Sequence, residues 1–278
     1  MRQYAKYLFL SVLAFAALFP LFYTFVNSFM GAGEFNRYYG ALSVGITRHN
    51  PLRIIPDWIT LEGYREVFIS RPHYLMRFWS SMLISGSILV GQLVVAVLGG
   101  YAFSRFRFPG CNVLFFLIVL IMMMPLQVTL VPNFIIIEAL NLNGTYAALI
   151  LPGIFSAFGV FLMRQVMQAV PLSLFESAKL DGAKSFAALW YVCLPNCKHG
   201  LAALAVLNFA DSWNMVEQPL TFLHSALRYP LSVYLINFGS VPPEVVFAGG
   251  LLSVLPVMML FLWFKDEIAF GIEYSVVR

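Results

Sequence analysis

The sequence predicts an all-α integral membrane protein with six transmembrane helices and a helix-turn-helix loop between the fourth and fifth helices. Of the 278 residues, 60% are apolar and only 11% are charged, whereas soluble proteins carry about 25% charged residues. Five stretches of 20 or more residues contain no Asp, Glu, Lys or Arg. Each is long enough to cross a bilayer core of about 30 Å. This composition excludes a soluble single-domain enzyme.

A nucleic-acid-binding protein is also excluded, because the net charge is only +4 and no run of Lys or Arg could follow a phosphate backbone. A sixth apolar stretch, 200–223, is interrupted by Asp211 and Glu217. We therefore expect one integral domain, 1–278, with a sixth span that carries acidic residues. The predicted spans are approximately 8–29, 81–103, 113–132, 144–163, 201–222 and 246–264.

Glycine and proline mark special positions in two of these spans. Pro125 and Pro132 should interrupt the hydrogen-bond ladder of the third span, which neighbouring helices can compensate. Small residues in the second span should let another helix approach closely. These residues are Gly86, Gly91, Gly99 and Gly100.

The distribution of basic residues predicts the orientation in the membrane. Cytoplasmic loops of membrane proteins carry an excess of Lys and Arg. With both termini in the cytoplasm, the short loops and termini place ten basic residues inside and only Arg228 outside. The ten are Arg2, Lys6, Arg105, Arg107, Arg164, Lys179, Lys184, Lys198, Lys265 and Arg278. The loop 164–200 is then cytoplasmic, and the loop 30–80 lies outside.

The loop 164–200 contains signals for two short helices. Ser173 and Glu176 have the spacing of a capping box, which predicts a helix from about Leu174. Asp181-Gly182 should end it, because glycine accepts the left-handed conformation of a helix C-terminus.

Ser185 is then a candidate cap for the second helix, and Pro195 its expected end. Both helices carry apolar side chains such as Phe175 and Trp190. Such side chains need cover, so the loop either packs on its own spans or docks onto a partner protein. The sequence leaves both possibilities open.

This loop resembles the EAA loop of permeases in ABC importers, the binding-protein-dependent transporters of the inner membrane. The matching residues are Glu176, Ala178, Asp181, Gly182, Ala183, Leu194 and Pro195. Ser177 departs from the usual alanine. Other segments resemble the maltose-type, carbohydrate-importing branch. These segments are Tyr101–Gly110, Met124–Pro132, Leu151–Gly153, Phe161–Gln165 and Ser212–Asn214 with Pro219.

The resemblance implies a non-catalytic permease subunit in the cytoplasmic membrane of a prokaryote. It implies pairing with a second, usually different, permease chain and two ATPase subunits that carry ATP and Mg. An extracellular solute-binding protein delivers a carbohydrate substrate. Glu176 would contact the ATPase by an ion pair or a capping contact, although the capping box alone also explains this residue. No glycine precedes any of the five lysines, so the sequence lacks a phosphate-binding loop, and no cofactor is expected in this chain.

Polar residues of the fifth span form a candidate substrate pathway. Asn208, Asp211, Asn214 and Gln218 fall on one face of a continuous helix, within about 120°. Amides and a carboxylate can hydrogen-bond the hydroxyl groups of a sugar. The same residues could instead form hydrogen bonds between helices that only hold the spans together.

Three other interpretations of the polar and sulfur-containing residues compete with a permease: an ion-coupled carrier, an intramembrane enzyme and a zinc site. An ion-coupled carrier could use Asp211 and Glu217 for protons or sodium, since acids inside a membrane are costly. An intramembrane enzyme would need a nucleophile with its base, or a metal cluster, and the sequence shows neither. Cys193, Cys197 and His199 supply three potential zinc ligands without a second pair, so reduced thiols are the simpler interpretation.

Overall fold

The computed structural model describes residues 2–43, 54–70, 72–236, 241 and 243–276. Within these residues every regular element is helical, as predicted. The chain divides into two compact units. Unit 1 comprises Met1–Ser80 and Pro230–Pro256, and unit 2 comprises Ser81–Tyr229 and Val257–Arg278.

The α-helices are α1 Arg2–Asn27, α2 Ala32–Ser43, α3 Glu62–Arg65, α4 Pro72–Arg105, α5 Cys111–Met122, α6 Leu126–Ala139, α7 Ala147–Gly153, α8 Ala157–Gln168, α9 Leu172–Leu180, α10 Ser185–Ala188, α11 Leu194–Asn196, α12 Lys198–Trp213, α13 Glu217–Phe222, α14 Leu231–Ile236 and α15 Pro243–Val276. Two π-helical turns, Glu66–Ser70 and Leu189–Cys193, and a 3-10 turn, Ala226–Arg228, lie among them. The long helices α4 and α15 contribute residues to both units.

Aromatic packing holds unit 1 together. The ring of Phe247 on α15 lies 5.7–6.0 Å, between centroids, from Tyr23 on α1 and from Phe35 and Tyr39 on α2. The Tyr74 hydroxyl of α4 donates a 2.8 Å hydrogen bond to the Gly249 carbonyl oxygen of α15. The predicted outer loop 30–80 is therefore partly helical, since it contains α2, α3 and the first turns of α4.

In unit 2, glycines of α4 allow the close helix packing that the sequence predicts. A Cβ on Gly100 would lie 2.6 Å from the Met163 Cβ of α8, and one on Gly91 would lie 2.5 Å from the Ile154 side chain. Gly86 has nothing within 4 Å of its Cβ position, so this glycine does not serve such a contact.

The third predicted span, 113–132, is bent by 106° between α5 and α6. Pro125 takes an extended conformation at the break, with φ −61° and ψ 143°. It has no N–H for the ladder, and it disfavours helix at the residue before it. Pro132 lies inside α6 without ending it; because it has no N–H, one bond of the ladder is missing there, as predicted, while the helix continues.

The fifth predicted span, 201–222, is also not one helix. α12 ends at Trp213 and α13 begins at Glu217. Pro219 explains the new start, because proline fits the first turn of a helix but cannot bond to a carbonyl one turn earlier. The prediction of a continuous helix through these residues is therefore wrong.

Four helices in the described residues are long and apolar enough to cross a membrane, or five if the bent pair counts as one span. They are Lys6–Asn27, Pro72–Arg105, Ala147–Gln168 and Val245–Ala269, with Cys111–Met122 and Leu126–Ala139 as the bent pair. α12 has 16 residues, fewer than the ~20 that a bilayer core needs. The count of six spans remains a prediction.

Candidate functional site

The candidate site begins with a short helix and a sharp turn in the loop 164–200. α9 ends at Leu180, and Gly182 follows with φ +82°. The Ala183 N–H donates to the Ala178 carbonyl at 2.9 Å, and the Gly182 N–H donates to the Lys179 carbonyl at 3.1 Å. These two bonds form a Schellman motif. The prediction that Asp181-Gly182 ends the first helix is confirmed.

The predicted serine caps in this loop are wrong, although both helices begin within two residues of their predicted starts. α9 begins at Leu172 after an extended Pro171, so Ser173 lies inside the first turn and no side-chain cap forms. Pro171 occupies the cap position itself, with φ −58° and ψ 137°, and this leaves Ser173 no role as the cap. Likewise Ser185 is the first residue of α10, and its predecessor Lys184 occupies the cap position without a side-chain bond.

The second helix ends at Asn196, one residue after Pro195, so its predicted end is confirmed to within one residue. The chain continues as a π-helical turn, Leu189–Cys193, and then as α11 to Asn196. Pro195 cannot donate to the carbonyl four residues earlier, and the wider π turn accommodates the missing bond. The Asn196 side-chain amide donates to the Val192 carbonyl at 2.8 Å.

The two arms of the turn differ in burial. On the second arm, Ala188, Leu189 and Cys193 are buried, and Leu194 packs against the same core. α9 has no buried residue. Leu180, the last residue of α9, is 89% exposed. The second arm therefore packs on its own unit along one side, while its Phe186, Trp190 and Tyr191 are 68%, 58% and 77% exposed. The first arm presents Leu172 and Leu180 outward.

The signature residues lie mostly on the outward arm. Glu176 and Asp181 are exposed, and Ala178 and Ala183 are half-buried. A β-carbon added to Gly182 would meet no atom within 4 Å. Space for a side chain is therefore open at this one position.

Two thiols lie in the core beneath the second arm. Cys193 and Cys197 are both fully buried, beside Met163, Met167 and Leu204. A hydrogen bond between the two thiols lowers the pKa of Cys193, and the same bond together with burial raises the pKa of Cys197. Among the described residues no three potential ligands gather as a metal site.

Side chains from α4 hold the loop, and the sequence analysis missed them. The Tyr101 hydroxyl donates to the Ser185 carbonyl at 3.0 Å. The Arg105 guanidinium lies over the Phe175 ring, with its Cζ atom 4.0 Å from the ring centroid. The charge of Arg105 indicates the orientation in the membrane, and no signal in the sequence identifies the ring that it contacts.

The four residues of the predicted polar face are divided by the helix break. Asn208 is buried within α12, whereas Asp211 and Asn214 are exposed. Gln218 belongs to α13 and is half-buried. Asn214 follows the last residue of α12, and its side-chain amide donates to the Ala210 carbonyl at 2.8 Å. These residues therefore do not form one continuous helical stripe.

Glu217 has a partner from the other broken span. The Gln127 side-chain amide of α6 lies 3.0 Å from one carboxylate oxygen of Glu217 and 3.3 Å from the other. Both side chains are exposed. This pair joins the two short helices that follow the breaks.

The sequence matches the family described as binding-protein-dependent transport system inner membrane component over residues 77–273. The chain belongs to this family. It is 31% identical over 270 residues to the arabinooligosaccharides transport system permease protein AraQ of Halalkalibacterium halodurans, covering 96% of this chain and 93% of the relative. It is 28% identical over 253 residues to the sn-glycerol-3-phosphate transport system permease protein UgpE of Brucella abortus, covering 87% and 86%.

A solved structure has the same fold. The crystal structure of a bacterial ABC transporter involved in the import of the acidic polysaccharide alginate matches with a TM-score of 0.77. The match covers 96% of each chain at 23% identity. Family and relatives confirm the prediction of a non-catalytic ABC permease subunit in the inner membrane. An intramembrane enzyme is thereby excluded.

Proposed function

We propose that this permease moves a carbohydrate, an oligosaccharide or a sugar derivative, across the cytoplasmic membrane by alternating access. ATP hydrolysis on separate ATPase subunits drives the cycle through the loop 171–195. The observation that carries this proposal is α9, an apolar helix without a buried residue, ended by a left-handed glycine. Relatives named as permeases of arabinooligosaccharide and sn-glycerol-3-phosphate transport systems support the class of substrate.

α9 suits a docking helix because its outward side chains need cover. Leu172 and Leu180 are 67% and 89% exposed, and burying such a side chain stabilises by about 1.5–3 kcal/mol. Glu176 and Asp181 add acidic groups at the same surface. A cleft on the ATPase that covers the leucines and offers a cation to Glu176 would match this surface.

The full transporter contains this chain, a second permease chain, two ATPase subunits that bind ATP and Mg, and an extracellular solute-binding protein. Both termini and the loop 164–200 face the cytoplasm, and the loop 30–80 faces outward. The chain crosses the membrane six times, with α12 and α13 together as a broken fifth span. The basic residues of the short loops support this orientation.

The substrate path includes Asp211 and Asn214, with Asn208 and Gln218 on either side. Asp211 and Asn214 are exposed at the end of α12, and a broken span frees backbone groups that can line a polar cavity. A carboxylate and an amide there can bond sugar hydroxyls. The charge of the Asp211 carboxylate stays hydrated if the cavity holds water.

The ion-coupled alternative assigns Asp211 and Glu217 to protons or sodium. Glu217 is paired with the neutral amide of Gln127 rather than with a second acid or a cation. Family membership favours coupling to ATP instead. We therefore retain the ATP-driven importer.

Copurification tests the proposal. The tagged permease, extracted from its own host in mild detergent, should bring down a second membrane chain and a soluble ATPase. The purified complex should hydrolyse ATP. A permease that is recovered folded in the membrane but brings down no ATPase would contradict the proposal and favour the ion-coupled carrier.

A further inference from the structure

Two arginines cap each other's helices in unit 2. Arg105, the last residue of α4, donates from its Nη2 atom to the Met167 carbonyl and, at 2.7 Å, to the Val170 carbonyl, just beyond α8. Arg164, on α8, donates from its Nε atom to the Phe103 carbonyl of α4 at 3.2 Å. Helix ends leave carbonyls without partners and favour positive charge. These reciprocal hydrogen bonds therefore hold the ends of α4 and α8 together.

Each guanidinium also lies over a phenylalanine ring. The Cζ atom of Arg164 is 3.8 Å from the ring centroid of Phe115 on α5. The Cζ atom of Arg105 is 4.0 Å from the ring centroid of Phe175 on α9. The two arginines thus make the same kinds of contact, and only Arg105 reaches the outward arm of the loop.

Tyr101 provides a second attachment on the same face of α4. It lies four residues before Arg105, so the two side chains are neighbours along the helix. The Tyr101 hydroxyl bonds to the Ser185 carbonyl at the start of α10. One face of α4 therefore contacts both helices of the turn. Phe175 is half-buried against the core and is the ring through which α9 meets this face.

We propose that Arg105 is a positioning residue that ties α9 to the ends of α4 and α8. A displacement of α9 is then passed to these two helices instead of being lost as movement within the loop. The proposal rests on the function proposed above, in which α9 contacts the ATPase. Arginine suits this task because its planar group can stack on a ring and still donate to two carbonyls.

Spin-label distances in the intact, purified transporter test this tie. The labels replace Ser173 on α9 and Val90 on α4, both of which are exposed, and Cys111 is changed to Ser because it is only partly buried. In the unchanged protein, the distance distribution between the labels should be narrow, both without nucleotide and after trapping with ATP and vanadate.

Arg105→Met and Arg164→Met form a matched pair for this experiment. Loss of the contact between Arg105 and the Phe175 ring should lower the population of the α9 position seen in this structure by roughly 2- to 30-fold. Arg105→Met should therefore broaden or shift the distribution, whereas Arg164→Met should leave it unchanged. An Arg105→Met distribution as narrow as that of the unchanged protein would overturn the proposal, and so would equal broadening in both variants.

Phe175→Leu provides a second variant if Arg105→Met is not recovered in the membrane. It keeps an apolar side chain and the bonds of Arg105 to the end of α8, and it removes only the ring. The same broadening is expected, and an unchanged distribution overturns the tie. The ATPase recovered with the unlabelled, unchanged protein tests the proposed function separately. If no ATPase copurifies, that function fails, while the label distances still decide whether Arg105 holds α9.

Discussion

Gly182→Val should break the link between permease and ATPase without harming insertion into the membrane. Gly182 has φ +82°, and a β-branched residue is a rare outlier in this region of backbone conformation. Holding a non-glycine residue there costs about 1–3 kcal/mol. A Cβ at this position would meet nothing within 4 Å, so the cost comes from the backbone conformation alone.

A cost of about 2 kcal/mol lowers the population of the turn by about 30-fold relative to other conformations. The bonds from Ala183 to Ala178 and from Gly182 to Lys179 would be lost with it, and α9 would point in a new direction. The assay compares the ATPase that copurifies with tagged permease, together with ATP-driven uptake, at equal amounts of inserted protein. We expect both to fall at least tenfold, on the order of the loss in turn population.

Gly110→Val is the matched control. Gly110 has φ +80° and likewise nothing within 4 Å of its Cβ position, but it precedes α5 instead of following α9. It should suffer a similar backbone cost without loss of the ATPase. Gly182→Asn should retain most function, since asparagine tolerates the left-handed conformation. Normal ATPase recovery and uptake in Gly182→Val would refute this account of the turn.

Further outcomes follow from the orientation and from the polar groups of the broken spans. A cysteine that replaces Lys198 should react with a membrane-impermeant thiol reagent only from the cytoplasm, and one that replaces Asp57 only from outside. The reason is the excess of basic residues in the predicted cytoplasmic loops. Labelling of both cysteines from the same side would contradict the topology. Asn214→Ala should change uptake or substrate preference. It should lower the free energy of unfolding by no more than about 0.5–1.5 kcal/mol, which is the contribution of the hydrogen bond from the amide to the backbone. A large loss of yield would instead mean that Asn214 serves helix packing. Glu217→Gln should keep ATP-driven uptake, and the rate of uptake should depend on pH as in the unchanged protein, because an amide can still bond to Gln127. Loss of uphill uptake in this variant would support an ion-coupled carrier.

The helical class and the position of the turn could be predicted because local rules decide them. Apolar stretches without charge select helices of membrane length, and glycine adopts φ +82° at a lower cost than other residues, so Gly182 marked the end of α9 correctly. Close packing at Gly91 and Gly100 followed from the absence of a side chain. The helices and the turn depend on neighbouring residues only, whereas the partners of these glycines, Ile154 and Met163, are distant in the sequence.

The sequence does not place the helix starts and breaks, because capping serines and prolines lie close together and only one of them decides each start or break. Ser173 offered a cap, but Pro171 started the helix earlier. Pro125 bent its span, whereas Pro132 stayed within a helix. The tie through Arg105 depends on a ring 70 residues further along the chain, which no spacing rule for a single helix could reveal.

The break after α12 has a consequence for how the loop acts within unit 2. Residues of α12, such as Leu204, pack in the same cluster as Cys193 beneath the loop. Phe222, at the end of α13, packs instead with Ile137 of α6 and Leu149 of α7. The break between α12 and α13 therefore separates side chains that pack with the loop from those that pack with α6 and α7. Because well-packed clusters resist deformation, a displacement of the loop should move α12 with it and be absorbed at the break, where Asn214 is exposed.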